Sequence, residues 1–209
     1  MPTITDLLRA SRVVPVLVID DVADAVPLAV ALRDAGVSSL EITLRRASAM
    51  DAIRRIIAEV PGVAVGAGTV TTPAQLDQLR EIGVAFAVSP GMTSSMVSHA
   101  RRIGLPYLPG IVTPSEIMAG LELGLAAFKF FPAAAVGGVA ALRAYGDVFP
   151  QVAFCPTGGI GPDNLRDYLG LANVVAAGSS WLAPADLVRM RDWGAIGQRA
   201  STLRALAAD

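Results

Sequence analysis

Apolar runs rich in β-branched residues recur along the chain at intervals of about twenty residues, each followed by a stretch whose apolar positions repeat with helical period. Eight such runs can be read: "VVPVLVI" (13–19), "LEITL" (40–44), "VAVGAG" (63–68), "AFAVS" (85–89), "YLPGI" (107–111), "AFKFF" (127–131), "VAFCPT" (152–157) and "NVVAAG" (173–178). They are continuous rather than alternating, as expected of parallel strands covered on both faces.

The stretches between them carry helix start and stop signals. In "TTPAQLDQLREIG" Thr72 is placed to cap, Pro73 takes the first helical position, Gln75 completes a capping box and Gly83 ends the helix. "TPSEIMAGLELG" repeats the device with Thr113, Pro114, Glu116 and Gly124. Ser48 and Asp51 form a weaker version, and "GPDNLRDYLG" is expected to open its helix at Pro162. Strand and helix alternating in this way, with no long linker or compositional break, predict an α/β fold: a (β/α)8 TIM barrel forming a single domain over residues 1–209. A doubly wound open sheet is the alternative, but "VVPVLVIDDVADAV" contains no glycine and so lacks the dinucleotide-binding turn.

Side chains alternate across a strand, so Glu41, Thr43 and Arg45 of "EITLR" share one face, while Ile42 and Leu44 suit packing under helices on the other. In "FKFFPA" (128–133) the same rule sets Lys129 and Phe131 inward and Phe128 and Phe130 outward. The second and sixth strands of an eight-strand closure face each other across an interior just wide enough for side chains to fill. Glu41, Arg45 and Lys129 are therefore expected around one pocket. An amine in that setting is a structural ion pair with Glu41, a lysine that snorkels to the mouth, or a nucleophile. In the third reading, desolvation and the neighbouring Arg45 favour the neutral amine, which attacks a carbonyl; the iminium is an electron sink for carbon-carbon cleavage, and Glu41 moves the proton.

A second cluster follows strands seven and eight, "CPTGGIGPDN" and "AAGSSWL". Glycines let backbone N–H groups approach an anion, hydroxyls add donors, and barrels often hold phosphate in these two loops. Two tight turns without a ligand are the alternative. "GAGTV" with Thr69 and "SPG" with Pro90 and Gly91 read as ordinary turns, and Trp181 and Trp193 as packing residues.

Composition narrows the field of functions. Seventeen Lys and Arg against eighteen Asp and Glu give a formal charge of -1, with no basic run to track a nucleic acid. Hydrophobic residues make up 53 %, yet charges, Gly or Pro interrupt every apolar stretch before it reaches a membrane span, and "MPTITDLLRASR" has no signal core. A cytoplasmic protein without nucleic-acid or membrane partners is expected. The single histidine, His99, reads as a solvated surface residue, so His-clustered metal sites and Ser-His or Cys-His catalysis are disfavoured; the single cysteine, Cys155, excludes an intrachain disulfide.

"EITLR", "VGAGTV", "FAVSPG", "YLPGIVTPSE", "FKFFPA" and "CPTGGI" stand here in the order and spacing of the bacterial 2-keto-3-deoxy-6-phosphogluconate (KDPG) aldolases, which the chain resembles from "VVPVL" to "SSWL". The resemblance implies a class I aldolase of the Entner-Doudoroff pathway, without metal or cofactor, a (β/α)8 barrel assembled as a homotrimer. Its partners would be a small-molecule 2-keto acid and a phosphorylated aldehyde, released as pyruvate and D-glyceraldehyde 3-phosphate, with 4-hydroxy-2-oxoglutarate as a further substrate. Residue by residue, it makes Lys129 the Schiff-base lysine and Glu41 the general acid/base. Arg45 and Thr69 would hold the pyruvyl carboxylate, Pro90 and Phe131 line the pocket, and Thr157, Gly158, Gly159, Gly178, Ser179 and Ser180 receive the phosphate. Two departures stand out: Val18 and Ile19 where some relatives carry an arginine, and Ser179 where some carry glycine. The rival readings are a divalent-metal pyruvate aldolase using Glu41 with Asp20 or Asp21, and a non-catalytic phosphosugar-binding barrel.

Overall fold

The computed structural model describes residues 3–208; Met1, Pro2 and Asp209, included in the expected domain, lie outside the described residues. The strands are β1 (Val13–Leu17), β2 (Ser39–Thr43), β3 (Ala64–Gly68), β4 (Phe86–Val88), β5 (Tyr107–Leu108), β6 (Gly110–Ile111), β7 (Ala127–Phe130), β8 (Ala153–Pro156) and β9 (Ala177–Ser179), and every pairing between them is parallel. Each of the eight runs yields strand, and the fifth yields two.

Regular pairing forms an α/β fold of two curled sheets, one of six strands in the order β5-β4-β3-β2-β1-β9 and one of three in the order β6-β7-β8. This differs from the expected unbroken eight-strand ladder at two junctions, each with a local cause. Pro109 has no N–H to give to a ladder, so "YLPGI" divides around it: β5 bonds to β4, with Ser89 N donating to Leu108 O at 3.2 Å, while the Pro109 carbonyl accepts from Lys129 N at 2.9 Å and β6 pairs with β7. Between β8 and β9 the residues expected to be strand from 173 make only isolated bridges, Phe154 with Val174 and Thr157 with Gly178, and regular pairing begins at Ala177.

Parity sorts the interior into two cores. Leu17, Leu40, Ile42, Phe128, Phe130 and Phe154 point outward and are buried beneath the helices. On the concave face Val14, Phe86, Val88, Leu108, Ala127, Cys155 and Val175 form a separate cluster, closed at the N-terminal ends of the strands by Leu8 of the helix Ile4–Ser11, with Ile4 and Leu7 packed against it. At the opposite, C-terminal ends the concave face becomes polar.

Helix ends follow the sequence signals in part. Thr72 and Gln75 form a reciprocal capping box with Pro73 in the first turn, and Gly83 closes that helix in the left-handed conformation. Thr113 and Glu116 do the same for Pro114–Glu122, with Gly124 at φ +73° just beyond it. The expected Ser48 and Asp51 box is absent: the Ser48 hydroxyl donates to the Ile19 carbonyl at 2.5 Å, tying this loop to the end of β1, and Asp51 pairs with Arg54. Pro162 does not open a helix either; it lies in a turn, and the helix starts at Leu165 because Asn164 spends its side chain on the preceding loop. His99 is half-buried rather than fully solvated, paired with Asp77 at 2.7 Å.

Burial of Glu116 opposes its ionisation, but the N–H groups of Val112 and Thr113 and the Thr113 hydroxyl outweigh it, and its pKa falls below the usual glutamate value. A carboxyl depressed on folding contributes stability fully present above its unfolded pKa and lost as pH falls through the folded one. Thr113→Ala is therefore expected to lower the unfolding free energy by about 1 kcal/mol near neutral pH. In urea melts the gap between variant and parent should narrow as the pH drops through the carboxylate range; a gap independent of pH would dismiss the role given to Glu116.

Candidate active site

The concave face brings together two charges that lie 88 residues apart: Lys129 Nζ donates to Glu41 Oε1 at 3.0 Å, with the two side chains 7 % and 5 % exposed. Phe128 and Phe130, fully buried on the outer face of β7, leave Lys129 no direction but inward, and Leu40 and Ile42 do the same for Glu41 on β2. The Lys129 ammonium also sits 5.3 Å from the centre of the Phe131 ring.

Room for this pair comes from β3. Gly68 faces it, and a Cβ there would overlap the Glu41 carboxyl; Gly66, two residues earlier, leaves equivalent space for the Phe86 ring. "GAGTV" is thus more than the ordinary turn expected. Glycines at alternate positions of an otherwise apolar strand mark a close approach on one face, and that spacing was the available signal. Immediately after them Thr69 holds φ +60°. A β-branched residue in that region is strained by on the order of 1–3 kcal/mol, and such strain collects at functional sites.

Arg45 does not share the lumen in the way parity suggested. β2 ends at Thr43, alternation stops with it, and Arg45 lies exposed in the following turn, its side chain without a hydrogen bond or ion pair among the described residues. Pro90 is exposed at the rim. Its loop is fastened by the Ser89 hydroxyl, which donates to the Gly91 carbonyl and shares a 2.6 Å hydrogen bond with the Tyr107 hydroxyl.

The two glycine-rich loops meet as expected. Thr157 bridges to Gly178, whose missing Cβ leaves space for the Thr157 hydroxyl. Gly158 and Gly159 stand at φ +105° and +74°, and among the described residues no protein acceptor takes their N–H groups. Asn164, which sequence reasoning passed over, staples this loop by donating to the Gly159 carbonyl at 2.9 Å and accepting from Gly161 N at 3.0 Å. Ser179 is different: its buried hydroxyl donates to the Ile160 carbonyl at 2.7 Å and accepts from Trp181 N at 3.2 Å. Ser180 is exposed, and with Gly159 it lines a cavity of about 660 Å³ whose other wall carries Val16, Val18, Asp20 and Arg46. Lys129 and Glu41 are not on this wall, but Val16 is the register partner of Glu41, so the cavity adjoins their layer.

Cys155, the register partner of Lys129, completes that layer. Burial pushes its thiol pKa up to about 12, against the opposing effects of the Lys129 charge and of hydrogen bonds involving Thr157 and Gly178. Among the described residues no group of three His, Cys, Asp or Glu side chains is placed to hold a metal ion. Asp20 and Asp21, the oxygen ligands of the metal alternative, are paired with Arg46 and Arg191.

Comparison with known proteins identifies the family. The KDPG and KHG aldolase family profile matches residues 4–199. A 2-dehydro-3-deoxy-phosphogluconate aldolase of Pseudoalteromonas atlantica is 51 % identical over 195 residues, covering 93 % of this chain and 91 % of its own. The KHG/KDPG aldolase of Escherichia coli K12 is 51 % identical over 190 residues, 91 % and 89 % of the two chains. Among solved structures, the KDPG aldolase of Legionella pneumophila, with pyruvate captured as a covalent carbinolamine, superposes with a TM-score of 0.92 at 43 % identity, covering 94 % of this chain and 96 % of that one.

Two outcomes follow from the packing. Gly68→Ala should force the Glu41 carboxyl away from Lys129 and cost about 1–3 kcal/mol in urea unfolding; a crystal structure of the variant with the 3.0 Å contact intact would contradict the role given to Gly68. The Cys155 thiol should stay unreactive toward a thiol-specific disulfide reagent at pH 8 in the folded protein and react once per chain after denaturation. Rapid labelling before unfolding would show the layer to be open.

Proposed function

Because this chain belongs to the KDPG and KHG aldolase family, we propose that Lys129 and Glu41 are its catalytic pair. The protein is a class I, Schiff-base aldolase that reversibly cleaves 2-keto-3-deoxy-6-phosphogluconate to pyruvate and D-glyceraldehyde 3-phosphate and also acts on 4-hydroxy-2-oxoglutarate. The observation that carries the assignment of residues is the buried 3.0 Å contact between an amine and a carboxylate.

The chemistry follows from that contact. An ammonium cannot attack a ketone, and Glu41 is within reach to take the proton. The freed Lys129 nitrogen adds to C2 of the substrate, and the carbinolamine loses water as the proton returns to its hydroxyl. Glu41, a carboxylate again, accepts the C4 hydroxyl proton directly or through a water. The C3–C4 bond then breaks toward the iminium, and the aldehyde departs from an enamine. Protonation at C3 and hydrolysis release pyruvate and restore the amine.

Thr69 and Arg45 hold the pyruvyl carboxylate in this reading, supported by the strained Thr69 backbone, by the unengaged Arg45 guanidinium, and by the Leu44 N–H donating to the Gly68 carbonyl, which brings the two segments side by side. Pro90 and Phe131 line the pocket. Thr157, Gly158, Gly159, Gly178 and Ser180 receive the phosphate, supported by the uncommitted Gly158 and Gly159 N–H groups; Ser179, whose hydroxyl is committed to Ile160, positions the loop instead. A closed (β/α)8 barrel belongs to the same proposal. Its support is that residues 107–111 bond to β4 by one half and β7 by the other, and that two isolated bridges, Phe154 with Val174 and Thr157 with Gly178, link the β8 segment to β9 and the residues before it. The homotrimer and the cytoplasmic location rest on the family resemblance.

Borohydride reduction in the presence of pyruvate should attach the keto acid to Lys129, found by peptide mass mapping, and Lys129→Met should abolish both label and pyruvate-forming activity. Label on another residue, or a folded Lys129→Met protein with undiminished turnover, rejects the assignment. Activity that survives EDTA counts against the metal alternative.

A further inference from the structure

We propose that Arg46, oriented by Asp20, contacts the phosphoryl end of the substrate and sets this chain's preference for phosphorylated over unphosphorylated 4-hydroxy-2-oxo acids. The proposal rests on the aldolase reading above and assigns a residue to the distal half of the same site.

The inner face of β1 and its continuation deliver Val16, Val18 and Asp20, spaced by two, to one wall of the cavity, with Arg46 beside them; Gly159 and Ser180 belong to the same cavity. The Val16 end of that wall adjoins Glu41 through their register pairing. A substrate covalently held by Lys129 would therefore extend its distal end along this wall. The glycine and serine loops can hydrogen-bond a phosphate monoester but bring no positive charge to offset its roughly −1.5 to −2 at neutral pH, and Asp163 on the glycine loop adds a carboxylate to the same lining. Val16 and Val18 bring none either. Compensation must come from a cation in the lining, and the lining holds Arg46 and Arg189.

Arg46 is the pre-oriented one. Its Nε donates to Asp20 Oδ1 at 2.5 Å, and Nη1 reaches only the Arg45 carbonyl, at 3.5 Å. A guanidinium has five N–H donors in a fixed fork, so an edge of this one remains for an anion, in the geometry that favours two parallel bonds to phosphate oxygens. A folding role explains the pair poorly: the side chains of Arg46 and Asp20 are 54 % and 58 % exposed, and pairs so exposed contribute little to stability. Asp20 acts as a positioning residue, giving up part of the positive field to fix which edge faces the cavity.

The test uses the full chain and compares kcat/KM for 2-keto-3-deoxy-6-phosphogluconate with kcat/KM for 4-hydroxy-2-oxoglutarate, whose shorter chain ends before the phosphoryl position. Arg46→Met should lower the ratio of the two by about tenfold or more, mainly through KM. Inhibition of 2-keto-3-deoxy-6-phosphogluconate cleavage by inorganic phosphate should weaken to a similar degree, and Arg46→Lys should recover part of both. Asp20→Asn should shift the ratio in the same direction, although it leaves the wall more positive; a rise would refute the positioning role. An unchanged ratio, or a parallel fall for both substrates, would overturn the assignment of Arg46. Trapping of pyruvate on Lys129 separates the two levels: a wild-type protein that fails to trap removes the Schiff-base reading, whereas normal trapping with an unchanged ratio removes Arg46 alone.

Discussion

The contact between Lys129 and Glu41 imposes the strongest constraint on this molecule. Removing two charges from water costs several kcal/mol per ion unless each finds a close partner, and here the partners come from strands 88 residues apart. Only a sheet curled far enough to bring β2 and β7 face to face can satisfy them. The surrounding packing follows from that requirement: phenylalanines hold β7 from outside, Gly68 leaves the carboxyl its space, and Cys155 fills the neighbouring position with a group that stays neutral. In the proposed reading, the closeness that lets each charge answer the other also lets one proton pass between them, so the structural and the catalytic requirement would share a single geometry.

Much of this was legible in the sequence because strand alternation is a rigid rule where the strand continues. It placed Lys129 and Glu41 inward and Phe128 and Phe130 outward, as observed. It failed for Arg45 because β2 stops at Thr43, and parity carries no information past the end of a ladder. Capping boxes read from Thr72 and Thr113 formed because their partners lie within the same turn. Ser48 offered the same local pattern, but the Ile19 carbonyl, far off in sequence and near in space, took its hydroxyl. The hydroxyl of Ser179 was lost to Ile160 for the same reason. Local rules thus succeeded where the competing partner was local, and non-local hydrogen bonds overrode them elsewhere.

The absence of a side chain was harder to read. At Gly68 it makes space for a carboxyl, at Gly178 for a hydroxyl, and at Gly158 and Gly159 it permits a backbone turn that leaves N–H groups uncommitted. A glycine in a sequence does not say which of these it serves. The distribution of the three uses across β3, β9 and the loop after β8 divides the site into a packed layer holding Lys129 and Glu41 and an adjoining open cavity.

The helix Ile4–Ser11 acts as a stopper: Leu8 seals the inner cluster at the N-terminal ends of the strands. Among the described residues, the cavity at the opposite ends of the strands lies on the side of the glycine loops. If the aldolase reading holds, a nucleophilic carbon formed beside Lys129 would have Glu41 at hand as its acid, while a short segment at the far end of the strands shields the layer from behind.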